Sequence, residues 1–259
     1  MIELPAFSDP AFLWMLGIML FGGLAHGALG LGFAVVVTAF LALLVDMRTA
    51  ILISLFPTIT INILSILHGG NWRHSIGRYW PLAVYASLGS LLGTQLLIWA
   101  DPEPFKLVLA AIILVYLNLG RLGKLRLGLV QSAPRLAMAG FGLGAGVLAG
   151  TVNVMVPVLI IYALELGLVS TAMVQVFNLC FLSGKLAQVG MFSAAGILDL
   201  ASLLSLLPFV AAAACGLIAG MLARSRISEA FYRRLLQRIL FLIAWLLVID
   251  YLSVSGPWN

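Results

Sequence analysis

Charge is what this chain has least of. Asp, Glu, Lys and Arg make up 9% of its 259 residues, against 63% hydrophobic residues and a mean hydropathy of +1.16. That balance lies outside the range of soluble domains and places the chain in a bilayer. Its net charge of +5 therefore reads as an orientation signal, and no nucleic-acid partner is expected. The two cysteines, Cys180 and Cys215, both fall in apolar runs and are too sparse for a disulfide framework or a metal cluster. Three histidines are too few for a histidine-ligated metal site, and no cofactor is expected. Neither a GxSxG elbow nor an HExxH motif occurs, and the Ser65–His68 pair has nothing around it to support catalysis, so an enzyme is not expected. The first ten residues carry Glu3 and Asp9 but no Lys or Arg, which is not the basic start of a signal peptide.

What is present is a series of apolar runs, at about 11–45, 49–68, 79–100, 103–119, 135–164, 169–192, 199–222 and 235–252. Six have roughly the length of one membrane crossing, about 20 residues. The first and fifth are longer and are broken by small residues, HGALGLGFAVVV (His26 to Val37) and GVLAGTVNVMVP (Gly146 to Pro157). Aligning Gly30 with Gly150 sets Val37 opposite Pro157 and repeats the order of runs at a spacing of about 120 residues. The expected architecture is an all-α integral membrane protein of two repeats, 1–120 and 135–259, joined by a basic cytoplasmic linker at 121–134. Each repeat is a re-entrant, broken helical hairpin followed by three transmembrane helices.

Charge decides between hairpins and full crossings. If each broken segment enters and leaves on one face, Arg73, Arg78, Arg121, Lys124, Arg126, Arg135, Arg224, Arg226, Arg233, Arg234 and Arg238 all share a face. The other face then holds Arg48 and Lys106 among Glu3, Asp9, Asp46, Asp101, Glu103, Asp199 and Asp250. Eight full crossings would split the basic clusters, so the positive-inside rule favours hairpins, with both termini outside and basic loops in the cytoplasm of a plasma-membrane protein. Three crossings per repeat is odd, so the repeats have inverted topology, an arrangement many secondary transporters share, with the site at the repeat interface.

The outgoing hairpin arms, about 34–45 and 154–164, begin at membrane depth. Their N-termini bring unpaired N–H groups and positive dipole ends toward one central volume, a ready anion site. Gly30, Gly32 and Gly150 are expected at the tips, where glycine permits tight turns and close ligand approach. Thr151 and Asn153 add donors there, while Gly22, Gly23, Gly142 and Gly144 read as helix-packing residues. The span after each hairpin adds Thr58, Thr60, Asn62 and Ser65 in one half and Gln175, Asn178, Ser183 and Lys185 in the other. Asn178 and Lys185 are seven residues apart and share a helical face. His26 lies one turn before the first tip, as a packing residue or a proton relay.

Lys185 stands out because it lies inside the run from Val169 to Phe192, while no Asp or Glu lies well inside any other apolar run. A charge at membrane depth costs at least a few kcal/mol and is paired, snorkelling or functional. The expected partner is an anion that comes and goes. The predicted substrate-binding set is thus Lys185, Asn178, Asn153, Thr151, Gly150, Gly30, Gly32, Asn62, Thr58, His26 and Ser183.

The paired segments GALGLGFAVVV and GVLAGTVNVMVPVL, each followed by a polar-tinged span, resemble the sulfite exporter TauE/SafE family of membrane permeases over nearly the whole chain. The resemblance implies export of a small sulfur-containing anion such as sulfite, sulfoacetate or another organosulfonate. Efflux of an anion is favoured by an inside-negative potential, by about 2.3 kcal/mol per charge per 100 mV. Transport of another small anion or a cation, and an accessory membrane subunit, are the competing readings. A cation site would want intramembrane acids or aimed carbonyls. The expected partners are the anion and membrane lipids, and the oligomeric state stays open, a homodimer being one option.

Overall fold

The computed structural model describes residues 9–70, 72–122, 129–168, 170–224 and 229–255. Glu3, Lys124, Arg126 and Arg226, which the charge argument used, lie outside them. Among the described residues the chain is helical throughout, with seven helices long and apolar enough to cross a membrane and two shorter apolar ones.

The first broken segment is α1 (Pro10–Leu29) and α2 (Phe33–Leu41). Asp9 caps α1, its carboxylate accepting from the Ala11 N–H at 2.8 Å, and Pro10 fits the first helical position because its missing N–H would have no partner there. The helix ends where Gly30 turns left-handed (φ 82°), and Gly32, again left-handed (φ 111°), precedes α2, a conformation glycine adopts without steric cost. The second broken segment is α7 (Pro134–Val152) and α8 (Val156–Glu165), with Asn153 (φ 59°) as its left-handed residue. Both segments are hairpins. The rings of Phe21 and Phe40 lie 6.0 Å apart, and those of Phe141 and Tyr162 lie 5.5 Å apart. A helix running straight on would separate either pair by roughly 30 Å at ~1.5 Å per residue.

After the first hairpin come α3 (Met47–His68), α4 (Trp72–Trp99) and α5 (Pro104–Leu122). A short α6 (Leu129–Ser132) lies in the linker. After the second hairpin come α9 (Ser170–Ala194), α10 (Leu200–Ser205), α11 (Leu207–Ala223) and α12 (Glu229–Ser255). Two spans differ from the apolar runs. α4 begins well before Tyr79, since its helix continues past the apolar run through Arg73 and Arg78. The run 199–222 is broken at Leu206, because Pro208 has no N–H to return to the preceding turn.

Small residues set the tightest contacts. α1 packs along α11, and α4 along α7. A Cβ added at Gly23 or Gly27 would overlap the backbone of α11, and one at Gly216 or Gly220 the backbone of α1. Gly89 and Gly93 on α4 face Gly146 and Gly150 on α7 in the same way. These are paired GxxxG contacts, in which backbones meet with nothing between them. Exchanging the two halves maps the α1–α11 contact onto α7–α4. The same exchange returns the central pairs α3–α9 and α5–α12 onto themselves.

The helix ends fix which termini share a face. Lys106, near the start of α5, pairs with Glu103 at 2.9 Å and with Asp250, near the end of α12, at 2.8 Å. Gln175, near the start of α9, donates to the Ile66 carbonyl near the end of α3 at 3.4 Å. Eight successive crossings would set the members of each pair on opposite faces. Arg48 at the start of α3 donates to the carbonyls of Leu97, Ile98 and Ala100 at 3.0–3.2 Å, satisfying the C-terminus of α4. The two basic residues expected on the acidic face are thus both bound to local structural partners.

Candidate functional site

The two half-helices α2 and α8 begin at one place. Gly32, Phe33 and Val35 from the first break and Val156 from the second line a single narrow cavity, joined by His26 of α1 and by Thr58 and Asn62 of α3. α9 completes it with Asn178 between Phe177 and Phe181. Neither half-helix has a side-chain cap. The first bond within α2 runs from the Val36 N–H to the Gly32 carbonyl, so the N–H groups ahead of it have no partner within the helix. Pro157, in the first turn of α8, removes one such donor without loss to the helix. Pro57 interrupts the ladder of α3 just before Thr58.

The cavity measures about 10 Å³, the room of about one water molecule. An oxyanion of several heavy atoms enters so small a space only if its walls part. Two of its lining residues carry buried polar atoms without a partner. His26 is 4% exposed and meets Ser65 Oγ through Nε2 at 3.0 Å, while its Nδ1 has no partner; Asn62 is 2% exposed and its Nδ2 has none. Thr58 and Asn178 are differently placed, for their donors bond their own helices, at Ser54 O (2.6 Å) and Val174 O (2.8 Å).

Lys185 does not line this cavity. It is buried, and its ammonium donates to Gln188 Oε1, whose amide in turn donates to the Gly150 carbonyl at 3.2 Å. The cluster has a counterpart. Asn62 and Lys185 each lie 32 residues beyond the left-handed residue of their own break (Gly30 to Asn62, Asn153 to Lys185). Ser65 and Gln188 each lie three further on, and each bonds the first hairpin helix just before its break. A neutral Asn–Ser–His set in one half thus stands where the other half has Lys–Gln and a backbone carbonyl.

Asn153 forms a third cluster. Fully buried, it donates from Nδ2 to Thr38 Oγ1 of α2 (2.7 Å) and Ser54 Oγ of α3 (3.1 Å), tying the tip of the second hairpin to the first half.

Of the predicted site residues, His26, Gly32, Thr58, Asn62 and Asn178 therefore come together. Gly30 supplies the first turn beside them. The second turn, expected at Gly150, falls three residues later. Gly150 lies inside α7 against the backbone of Ser90 and Thr94, and the left-handed residue of the second break is Asn153. Thr151 bonds its own helix at Val147 O, Ser183 donates to Ala83 O and Cys180 O, and neither lines the cavity. Gly22, Gly23 and Gly142 are packed as expected, whereas Gly144 faces open space. Sequence reasoning missed Thr38 and Ser54, although Thr38 is the one hydroxyl in the arm FAVVVTAF. It also missed the walls Phe177 and Phe181. Among the described residues no three His, Cys, Asp or Glu side chains converge as metal ligands would. Two larger hollows, about 480 and 450 Å³, lie on the hairpins and are almost wholly apolar; Trp14 in the first and Leu136 in the second are exposed.

A multi-pass membrane protein, helical among its described residues, whose broken helices end on a buried and largely apolar cavity with a few polar groups is built as a transporter, and this is a membrane transport protein. It belongs to the sulfite exporter TauE/SafE family, whose profile matches residues 15–247. No curated protein and no solved structure matches the chain. At the level of the family it is a transporter of sulfur-containing anions, not an enzyme.

Proposed function

We propose that the protein exports a small sulfur-containing oxyanion, such as sulfite, sulfoacetate or another organosulfonate, and binds it between the N-termini of α2 and α8. The observation that carries this is the convergence on one cavity of two uncapped half-helix N-termini and two residues with unpartnered buried nitrogens, Asn62 Nδ2 and His26 Nδ1, the latter a donor when Nε2 accepts from Ser65. Helix N-termini favour anions through both their free N–H groups and their dipoles.

In this reading residues 1–120 and 135–259 are repeats of inverted topology, supported by the exchange of α1–α11 for α7–α4. The basic loops face the cytoplasm and both termini the outside. Lys185, about 10 Å along α9 from Asn178, acts on the passage of the anion rather than on its resting place. Gly150, Thr151, Asn153 and Ser183 hold the helices that frame the site.

The test is thermal stabilisation of the purified chain by sulfite, sulfoacetate and methanesulfonate beside chloride and sodium controls, repeated on Asn62→Ala. Stabilisation by a sulfur oxyanion that weakens in the variant supports the reading. Stabilisation by sodium alone would place the protein among cation transporters.

A further inference from the structure

The charge around the central cavity is as informative as its donors. No Lys, Arg, Asp or Glu is among the described residues that line it. Lys185 is engaged with Gln188, Arg48 with the end of α4, and Lys106 with Glu103 and Asp250. The fixed positive potential at the cavity therefore comes from backbone. A helix N-terminus carries roughly half an elementary charge, so two supply about one. An anion of single charge is matched there. A dianion brings one negative charge more than the site can balance, and an unbalanced charge in a buried site is costly.

The unpartnered donors agree with that count. His26 Nδ1 and Asn62 Nδ2 belong to side chains that can bond oxygens without adding formal charge, His26 being neutral when Nε2 accepts from Ser65. Leu31, Val156, Phe177 and Phe181 also line the cavity and give it apolar surface. A tetrahedral anion can present oxygens to the donors and helix ends while an uncharged substituent rests against the phenyl rings.

We infer that the cavity selects singly charged sulfonyl anions, R–SO3⁻ with a small apolar R or hydrogen sulfite, over doubly charged anions of the same size. This rests on the central anion site proposed above and narrows its substrate class to monoanions, so that sulfoacetate and fully deprotonated sulfite, both dianions, are expected to bind weakly.

Methanesulfonate and sulfate are suitable probes, since both are tetrahedral and of similar size, and a methyl group in one replaces a charged oxygen in the other. Their affinities for the full-length chain in detergent are read from the concentration dependence of thermal stabilisation at constant ionic strength near neutral pH. Methanesulfonate is expected to bind at least about tenfold more tightly than sulfate. Sulfate binding as tight or tighter overturns the charge selection while leaving the anion site standing. No binding of methanesulfonate, sulfate or hydrogen sulfite overturns the site itself. Asn62→Lys places an ammonium where the second half has Lys185, and it should shrink the preference for methanesulfonate or reverse it. An unchanged preference in a folded variant would show that cavity charge does not set selectivity, and the wild-type comparison stands if the variant does not fold.

Discussion

The ammonium of Lys106 lies 2.8 Å from Asp250 Oδ2, joining the start of α5 to the end of α12. That contact requires both helix ends to lie on one face of the membrane. With Cys180 and Cys215 replaced, cysteines introduced at Asp101 and Ser253 should react with a membrane-impermeant thiol reagent from the same side. A cysteine at Ala133 should react only from the opposite side. Labelling of Asp101→Cys and Ser253→Cys from different sides would falsify the hairpin topology.

Asn153 combines a left-handed backbone with two hydrogen bonds into the first half. Asn153→Ala loses the bonds, worth about 1–3 kcal/mol where buried partners are left unsatisfied, and adds left-handed strain of roughly 1–2 kcal/mol. Asn153→Gly loses only the bonds. Melting temperatures should fall in the order wild type, Asn153→Gly, Asn153→Ala; equal values for all three would show that the tip is held by other contacts.

Two glycines on α7 should behave oppositely. A Cβ at Gly150 would run into the backbone of Ser90 and Thr94, whereas one at Gly144 meets nothing within 4 Å. Gly150→Ala is expected to cost about 1–3 kcal/mol or more through overpacking. Gly144→Ala should be neutral or stabilising by about 0.5–1 kcal/mol through helix propensity. Thermal unfolding with size-exclusion profiles distinguishes them, and a tolerated Gly150→Ala contradicts the close α4–α7 approach.

Asn62 and Lys185 each lie 32 residues past the left-handed residue of their own break, but only Asn62 lines the cavity. Asn62→Ala should weaken anion binding about 10- to 100-fold, the loss of one hydrogen bond to a charged group. Lys185→Met should chiefly lower the maximal transport rate, by about tenfold or more, with a smaller effect on half-saturation. Proteoliposome flux across substrate concentrations separates the two, and the same change of half-saturation in both variants would put Lys185 at the resting site.

The membrane class, the two broken segments and the buried lysine are legible along the chain, because each rests on local hydropathy or charge. A run long enough to span a bilayer, or a charge placed within one, needs no knowledge of neighbours. The bond between Lys185 and Gln188 also lies within one helix, but whether the lysine reaches the cavity does not.

Where the second break falls and which polar groups meet depend instead on packing between distant segments. Gly150 reads the same in sequence whether it makes a turn or lets two helices touch, and it is the backbone of α4 against it that settles the matter. His26, Asn62 and Asn178 meet at one cavity because α1, α3 and α9 cross there. That crossing is set by contacts between residues far apart in the chain, which hydrophobic periodicity within a single helix does not encode.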